Sequence, residues 1–125
     1  MQLRSSSALV TGGGRGLGRA LALALARSGV RVVVVARNRD DLDAVVRQIR
    51  AEGGAAFAIV ADVGDRNAIH PIAGEAAALV GPIDILVNDA STLGPTPLPL
   101  LLDTECEDLE RVLAVNLVGP FRLTK

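Results

Sequence analysis

The segment with the clearest chemical potential is a glycine-rich run near the start of the chain, Thr11-Gly12-Gly13-Gly14-Arg15-Gly16-Leu17-Gly18. It lies between a short apolar run and a segment with helical periodicity. Glycines at such a junction let the backbone turn tightly and let a phosphate approach the free amides and positive dipole end of the following helix. Since the run lacks the Gly-Lys-Ser/Thr ending of a triphosphate-binding loop, a dinucleotide is the better expected ligand. The alternative is a set of glycines that only shapes a loop.

A second position of interest lies roughly 20 residues past the glycines, where NAD-binding proteins commonly place an acidic residue for the ribose hydroxyls. Here the sequence reads Ala36-Arg37. An acid would repel a 2′-phosphate, whereas Arg37 can bind one through a forked, charge-assisted pair of hydrogen bonds, and Arg15 can reach the same group. The pattern favours NADP(H) as the cofactor. The alternative for each arginine is a solvated surface position.

The elements that must position these residues are predicted from four short apolar runs, each bounded by turn residues. The runs are Ala8-Leu9-Val10, Val30 to Ala36, Ala55 to Ala61 and Ile83 to Val87. They are continuous rather than alternating, which is typical of parallel strands covered by helices on both faces. We therefore predict an α/β fold over residues 1–125, a single domain with a doubly wound, Rossmann-like parallel sheet in the order 3-2-1-4.

Helical periodicity fills the intervals between the strands. The predicted helices run from about Leu17 to Ser28, from an Asn38 cap to Gly53, from Asp65 to about Val80, and from a Thr104–Glu107 capping box past Leu117. Pro71 should kink the third helix or delay its start, and Gly119-Pro120 should bend the end of the fourth. The long connection at residues 91–102 follows the fourth strand, at the cofactor and substrate edge where such sheets bind ligands.

Composition narrows the function classes further. The chain has 13 Lys and Arg against 14 Asp and Glu, a formal net charge of -1, and no long run of either sign. Nucleic-acid and membrane-surface binding are therefore disfavoured. A single cysteine, Cys106, excludes an internal disulfide framework, and no apolar stretch approaches the ~18 residues of a membrane span. We expect a cytoplasmic protein whose start at residues 1–14 carries no secretory signal.

Several motifs together resemble the short-chain dehydrogenase/reductase family. Thr11 to Gly18 matches the family's cofactor loop, Thr-Gly-x-x-x-Gly-x-Gly, and Asp62-Val63 is similar to its adenine-contacting pair. Asn88-Asp89-Ala90-Ser91 is similar to the family's Asn-Asn-Ala-Gly, which steadies the sheet and lines the cofactor. Asp89 and Ser91 replace the second Asn and the Gly, and so change donors and charge beside the nicotinamide ribose. Asn116 matches the helix Asn that holds a water in the family's proton relay.

The resemblance implies an NADP(H)-dependent oxidoreductase acting on carbonyl and alcohol groups, with no metal. The residues expected to bind the cofactor, from the arginine pattern and the resemblance together, are Gly12, Gly14, Arg15, Gly16, Leu17, Gly18, Arg37, Asp62, Val63, Asn88 and Ala90, and the resemblance implies that Asn116 is catalytic. It covers essentially all of the chain but about half of the family's domain, so it implies a partial domain whose sheet is truncated after the fourth strand and its following helix. The family's catalytic Ser and Tyr-x-x-x-Lys would follow, yet the chain has no tyrosine and its only lysine is Lys125. We therefore expect a chain that is inactive alone, with a small carbonyl or alcohol substrate only if the missing half is supplied. We also expect a homo-oligomer, because the fourth strand would leave an exposed apolar edge where the family places further strands, and exposed edges invite pairing.

Two other functions stay open at this point. One is a non-catalytic NADP(H)-binding module or subunit, which shares every cofactor motif. The other is an S-adenosylmethionine methyltransferase. Arg37 disfavours it, because such enzymes need an acidic residue at the end of the second strand to bind the ribose. His70, Cys106 and the acidic segment 105–110 with Arg111 are interpreted as surface positions.

Overall fold

Four parallel strands form one sheet in the computed structural model, which describes residues 2–92 and 94–125. The strands are β1 (Ser7–Thr11), β2 (Arg31–Ala36), β3 (Ala56–Val60) and β4 (Ile85–Asn88). Their order across the sheet is β3-β2-β1-β4, with Leu9 of β1 opposite Val33 of β2 and Leu86 of β4. The predicted fold class and strand order are confirmed.

Helices cover both faces of this sheet. They are α1 (Gly16–Arg27), α2 (Arg39–Ala51), α3 (Ile69–Val80), α4 (Cys106–Leu113) and α5 (Gly119–Thr124). A wide π turn at Ala114–Val118 joins α4 to α5, and a short 3-10 turn at Leu101–Asp103 precedes α4. In the described part of the chain, none of the helices is long and apolar enough to cross a membrane.

The core has two layers, one on each side of the sheet. Val32 and Val34 of β2 face α1 and α2, whereas Val33 and Val35 face α3 and the π turn, and all four are fully buried. A strand buried on both faces has no position where a polar residue is favoured, which explains the uninterrupted apolar run. The edge strand β4 is only half-buried at Ile85 to Val87.

Helix α3 begins at Ile69, later than the predicted start at Asp65. Pro71 falls in its first turn, where the missing amide hydrogen would have had no intrahelical partner. Residues Asp65 to Ala68 form a turn instead, in which Asp65 Oδ1 accepts a hydrogen bond from the Asn67 amide at 2.9 Å. Pro71 therefore delayed the helix and did not kink it.

The predicted capping box of Thr104 and Glu107 is wrong. Helix α4 begins at Cys106 after Glu105, and the Thr104 hydroxyl donates to the Leu100 carbonyl oxygen at 3.0 Å. The preceding 3-10 turn supplies this acceptor, so the hydroxyl closes that turn and caps no helix.

The segment after α4 is interrupted where Gly119-Pro120 was predicted to bend it. Pro120 has no amide hydrogen to continue the helical ladder, and the chain widens into the π turn just before it. A Cβ at position 119 would lie 2.3 Å from the Val63 carbonyl oxygen, so only glycine allows this approach.

The predicted loop at residues 91–102 overlaps the 3-10 turn at its end. Its described residues, 91–92 and 94–102, contain no strand. Leu93 lies outside the described residues.

Candidate functional site

A cleft of about 600 Å³ runs along the edge of the sheet where all four strands end. This volume lies within the roughly 300–1,000 Å³ range of small-molecule and cofactor sites. Its lining residues are Gly12, Gly14, Arg15, Gly16, Leu17, Val35, Ala36, Arg37, Asn38, Asp41, Ala61, Asp62, Val63, Asp89, Ala90, Ser91 and Val115.

The strand order fixes the sequence of chemical groups along this cleft. Asp62 and Val63 follow β3, Arg37 follows β2, the glycine loop follows β1, and Asp89 to Ser91 follow β4. Three strand spacings separate the two ends by about 14 Å. The cleft is therefore elongated, with an acidic group, a basic group, a glycine loop and a polar segment in that order.

The glycine loop combines tight packing with one open position. A Cβ at Gly12 would lie 2.8 Å from the Ala90 amide nitrogen, and one at Gly18 would lie 2.1 Å from the Gly12 carbonyl oxygen. Gly16 has a φ of +56°, but a Cβ there would meet no other atom within 4 Å, because this position faces the cleft. Gly18 does not line the cleft; it lets α1 pack against the loop.

The first turn of α1 offers free amides to the cleft. Arg15 precedes the helix in an extended conformation, and among the described residues no side chain caps this turn and none within it is acidic. The first amides of a helix have no intrahelical partner, and the helix dipole adds positive potential there. This end of α1 therefore favours an anion.

Two arginines flank the same part of the cleft. The Arg15 side chain is 88% exposed, and its Nε lies 3.5 Å from Asp41 Oδ2. Arg37 is exposed at the end of β2. Sequence reasoning missed Asp41, which enters the cleft because Asn38 caps α2 by accepting a hydrogen bond from the Asp41 amide at 3.0 Å. The cap at Asn38 was the available signal, since it fixes which residues form the first turn.

Asp62 lies beyond Arg37, at the β3 end of the cleft, and its carboxylate interacts with two donors. Its Oδ1 accepts from the Gly64 amide at 2.8 Å, and its Oδ2 lies 2.7 Å from Arg111 Nη2. Val63 beside it is buried. The interpretation of Arg111 as a solvated surface residue is wrong, because its side chain turns to the sheet and pairs with Asp62.

Thr11 organises the segment that follows β4. Its hydroxyl oxygen accepts from the Asp89 and Ala90 amides at 3.2 and 3.3 Å and donates to the Val87 carbonyl oxygen at 3.3 Å. These bonds hold Ala90 against the glycine loop. Thr11 belongs to the predicted motif but was not among the predicted site residues.

The two predicted asparagines act beside the cleft and do not line it. Asn88 Nδ2 donates to Thr124 Oγ1 at 3.2 Å. Asn116 Oδ1 accepts from the Thr92 amide, and its Nδ2 donates to the Thr92 carbonyl oxygen, both at 2.8 Å. Asn116 thus fixes the backbone just past Ser91, and its catalytic role stays a prediction.

His70 and Cys106 lie exposed, as the sequence indicated. Within residues 2–92 and 94–125, no group of three or more His, Cys, Asp or Glu side chains is arranged to hold a metal ion.

Comparison with protein families gives a match to the short chain dehydrogenase model over residues 6–125. Among curated relatives, the chain is 42% identical over 124 residues to a 3-oxoacyl-[acyl-carrier-protein] reductase of Synechocystis, covering 98% of the chain and 49% of the relative. The chain spans less than half the length of the curated relatives reported for it, and the part matched is their N-terminal half.

Two solved structures are similar to the whole chain. One is a metagenomic short-chain oxidoreductase in complex with NADP, with 37% identity, a TM-score of 0.90, and coverage of 98% of this chain and 55% of that one. The other is a blue fluorescent protein from a metagenomic library in complex with NADPH, with 31% identity, a TM-score of 0.88, and coverage of 98% and 50%.

Proposed function

The chain belongs to the short-chain dehydrogenase/reductase family, and from this premise we propose that it binds NADP(H) as the cofactor-binding portion of an oxidoreductase. The observation that carries the proposal is the meeting of an uncapped helix N-terminus with Arg15 and Arg37 in one cleft. A pyrophosphate and a 2′-phosphate on one molecule match these two anion-binding features. The two similar structures that hold NADP and NADPH add support.

The residues present fit such a molecule. The space around Gly16 admits a pyrophosphate close to the α1 amides, and a side chain there would stand in its way. Asp62 and Val63 would hold the adenine, Arg37 and Arg15 the 2′-phosphate, and Ala90 the nicotinamide half. Gly12, Gly14 and Leu17 form the floor and edge of this cleft.

Three of the predicted residues would act through others. Gly18 lets α1 approach the glycine loop, Asn88 ties the end of β4 to Thr124, and Asn116 fixes the Thr92 backbone. All three shape the cleft without lining it. Their replacement should therefore weaken cofactor binding through a change of cleft shape and not through a lost direct bond.

When bound, the cofactor supplies or accepts the hydride that interconverts a carbonyl and an alcohol. That reaction also needs a proton donor or acceptor at the substrate oxygen. The sequence contains no tyrosine, and the Asn116 amide does not titrate. We therefore propose that these 125 residues bind cofactor without turning over substrate, and that substrate and activity belong to the whole protein. A cytoplasmic setting remains a prediction.

The direct test is calorimetric titration of the chain with NADPH, NADH and S-adenosylmethionine. Binding of NADPH in preference to NADH, with none of S-adenosylmethionine, is the expected result. Preference for S-adenosylmethionine would overturn the proposal in favour of the methyltransferase alternative. Failure to bind either nicotinamide dinucleotide by a folded chain would overturn it outright.

A further inference from the structure

A guanidinium from α4 reaches the carboxylate at the end of β3. Arg111 Nη2 lies 2.7 Å from Asp62 Oδ2, and the two side chains are 37% and 31% exposed. This distance is at the short end for charge-assisted hydrogen bonds. Both residues are partly shielded from water, so the geometry is better defined than in a fully exposed ion pair.

The neighbouring glycine makes room for this contact. A Cβ at Gly64 would lie 2.6 Å from Arg111 Nη1 and 2.8 Å from Val115 Cγ2. Gly64 does not have the positive φ that would by itself require glycine. The guanidinium therefore packs directly over Gly64, and a side chain at position 64 would push it away from its place beside Asp62.

Both carboxylate oxygens of Asp62 have one donor each. The Gly64 amide donates to Oδ1 at 2.8 Å, while Arg111 is on Oδ2. A carboxylate has about four lone-pair sites, so two remain for a further donor. With the other two sites fixed, the direction of the free ones is fixed as well, and Asp62 lines the cleft.

We propose that Arg111 is a positioning residue for the adenine end of the cleft, which holds Asp62 so that its free lone pairs accept from the exocyclic amino group of the base. The inference rests on the proposed function. Without Arg111, the Asp62 side chain would be free to rotate about its bond to the backbone and would lose one of its two anchors. Recognition of the amino group would then weaken, while contacts to the phosphates would not change.

The test compares two cofactors that differ only at the base. Reduced nicotinamide hypoxanthine dinucleotide phosphate carries an oxygen in place of the adenine amino group. We expect the unmutated chain to bind NADPH at least about tenfold more tightly than this analogue, the lower end of the range for one hydrogen bond to a charged group. In Arg111→Met the ratio should fall to about twofold or less. Affinities are measured by the fluorescence of the reduced nicotinamide.

A merely structural role for Arg111 gives a different result. If the residue only joins α4 to the sheet, Arg111→Met weakens both cofactors alike and leaves the ratio unchanged, which would overturn the inference. Arg111→Gln serves as a second variant, because its side chain is neutral but polar and suits a partly exposed position better than Met does. The same fall in the ratio is expected. Arg47→Met, an exposed arginine of α2 away from the cleft, is the matched control and should keep the ratio.

A double substitution locates the effect at Asp62. Asp62→Asn should lower the ratio by itself, and adding Arg111→Met should lower it no further. A further fall would overturn the inference, because Arg111 would then act on the base by another route. If the unmutated chain binds neither cofactor, the proposed function is overturned. If it binds NADPH but Arg111→Met leaves the ratio of the two affinities unchanged, only this inference is overturned.

Discussion

Removing the Arg37 side chain should weaken NADPH binding and leave NADH binding almost unchanged. Arg37 is exposed where β2 ends, and among the described residues it takes part in no ion pair that a phosphate would have to displace. A hydrogen bond to a charged group contributes about 1.5 to 3 kcal/mol. Arg37→Ala should therefore raise the Kd for NADPH by a factor of about 10 to 150.

The loss of affinity expected for Arg37→Ala can be compared with that for Arg15→Ala. Its guanidinium is already 3.5 Å from Asp41, and a surface pair of this kind is worth up to about 1 kcal/mol. Binding a phosphate replaces that interaction, so Arg15→Ala should cost less than Arg37→Ala, by up to about 1 kcal/mol. The structure thus predicts the order of the two effects as well as their sign.

Calorimetric titrations at one fixed ionic strength measure these effects, since salt screens exposed charges. Arg39→Ala is the control, because Arg39 is two residues from Arg37 but pairs with Asp43 at 3.9 Å and does not line the cleft. It should change neither affinity by more than about 0.5 kcal/mol. The reasoning is refuted if Arg37→Ala weakens NADPH and NADH alike, or if the unmutated chain binds both equally.

Four further outcomes are expected. Asp41→Asn should tighten NADPH by up to about fivefold at low salt and leave NADH unchanged, since it frees Arg15 from a surface ion pair worth up to about 1 kcal/mol; titration that shows equal gains for both cofactors contradicts this. Gly18→Ala should lower the melting temperature by about 8 to 12 °C, because its Cβ would lie 2.1 Å from a carbonyl oxygen, whereas Gly74→Ala in open space should raise it slightly. With NADPH and a panel of ketones and aldehydes, the chain should match a heat-killed control, since the sequence has no tyrosine to exchange the proton at the substrate oxygen, a role worth about 10² to 10⁴ in rate; clear oxidation would point to Asp89 or another residue. Light scattering at micromolar concentration should show dimers or larger species that pair through the half-buried edge strand β4, and a uniform monomer would count against this.

The sheet could be predicted because its signals are local. The run Val32 to Val35 is apolar on both faces, and the segments between strands have the length and periodicity of crossover helices. Helix starts were less predictable, because a candidate capping residue can make a different local hydrogen bond instead. Thr104 has the right spacing for a capping box, yet its hydroxyl bonds to Leu100 in the turn before the helix.

The site residues, like the elements, differ in how much of their role can be predicted from nearby sequence. The glycines and Arg37 were identified from a contiguous motif and from its spacing to the end of β2. Asp41 was missed although the Asn38 cap places it in the first turn of α2, because its ion pair with Arg15 joins residues 26 apart in sequence. Arg111 was missed because its partner Asp62 lies 49 residues away. An acidic helix start looks the same in sequence whether its one arginine faces water or a carboxylate.

One segment, from α4 through the π turn to α5, braces both ends of the cleft. At the adenine end, Arg111 holds Asp62, and Gly119 lies against the Val63 carbonyl oxygen.

At the opposite end, the same segment binds the backbone that follows β4. Asn116 makes hydrogen bonds to the amide and the carbonyl oxygen of Thr92, and Asn88 donates one to Thr124 of α5. The π turn, which carries Asn116, lies between these contacts, so a change in its winding would move the anchors at the two ends relative to one another. The width of the cleft between Asp62 and Ala90 is therefore set jointly by the glycine loop of β1 and by this segment, and substitutions in the π turn should alter affinity for both halves of the cofactor together.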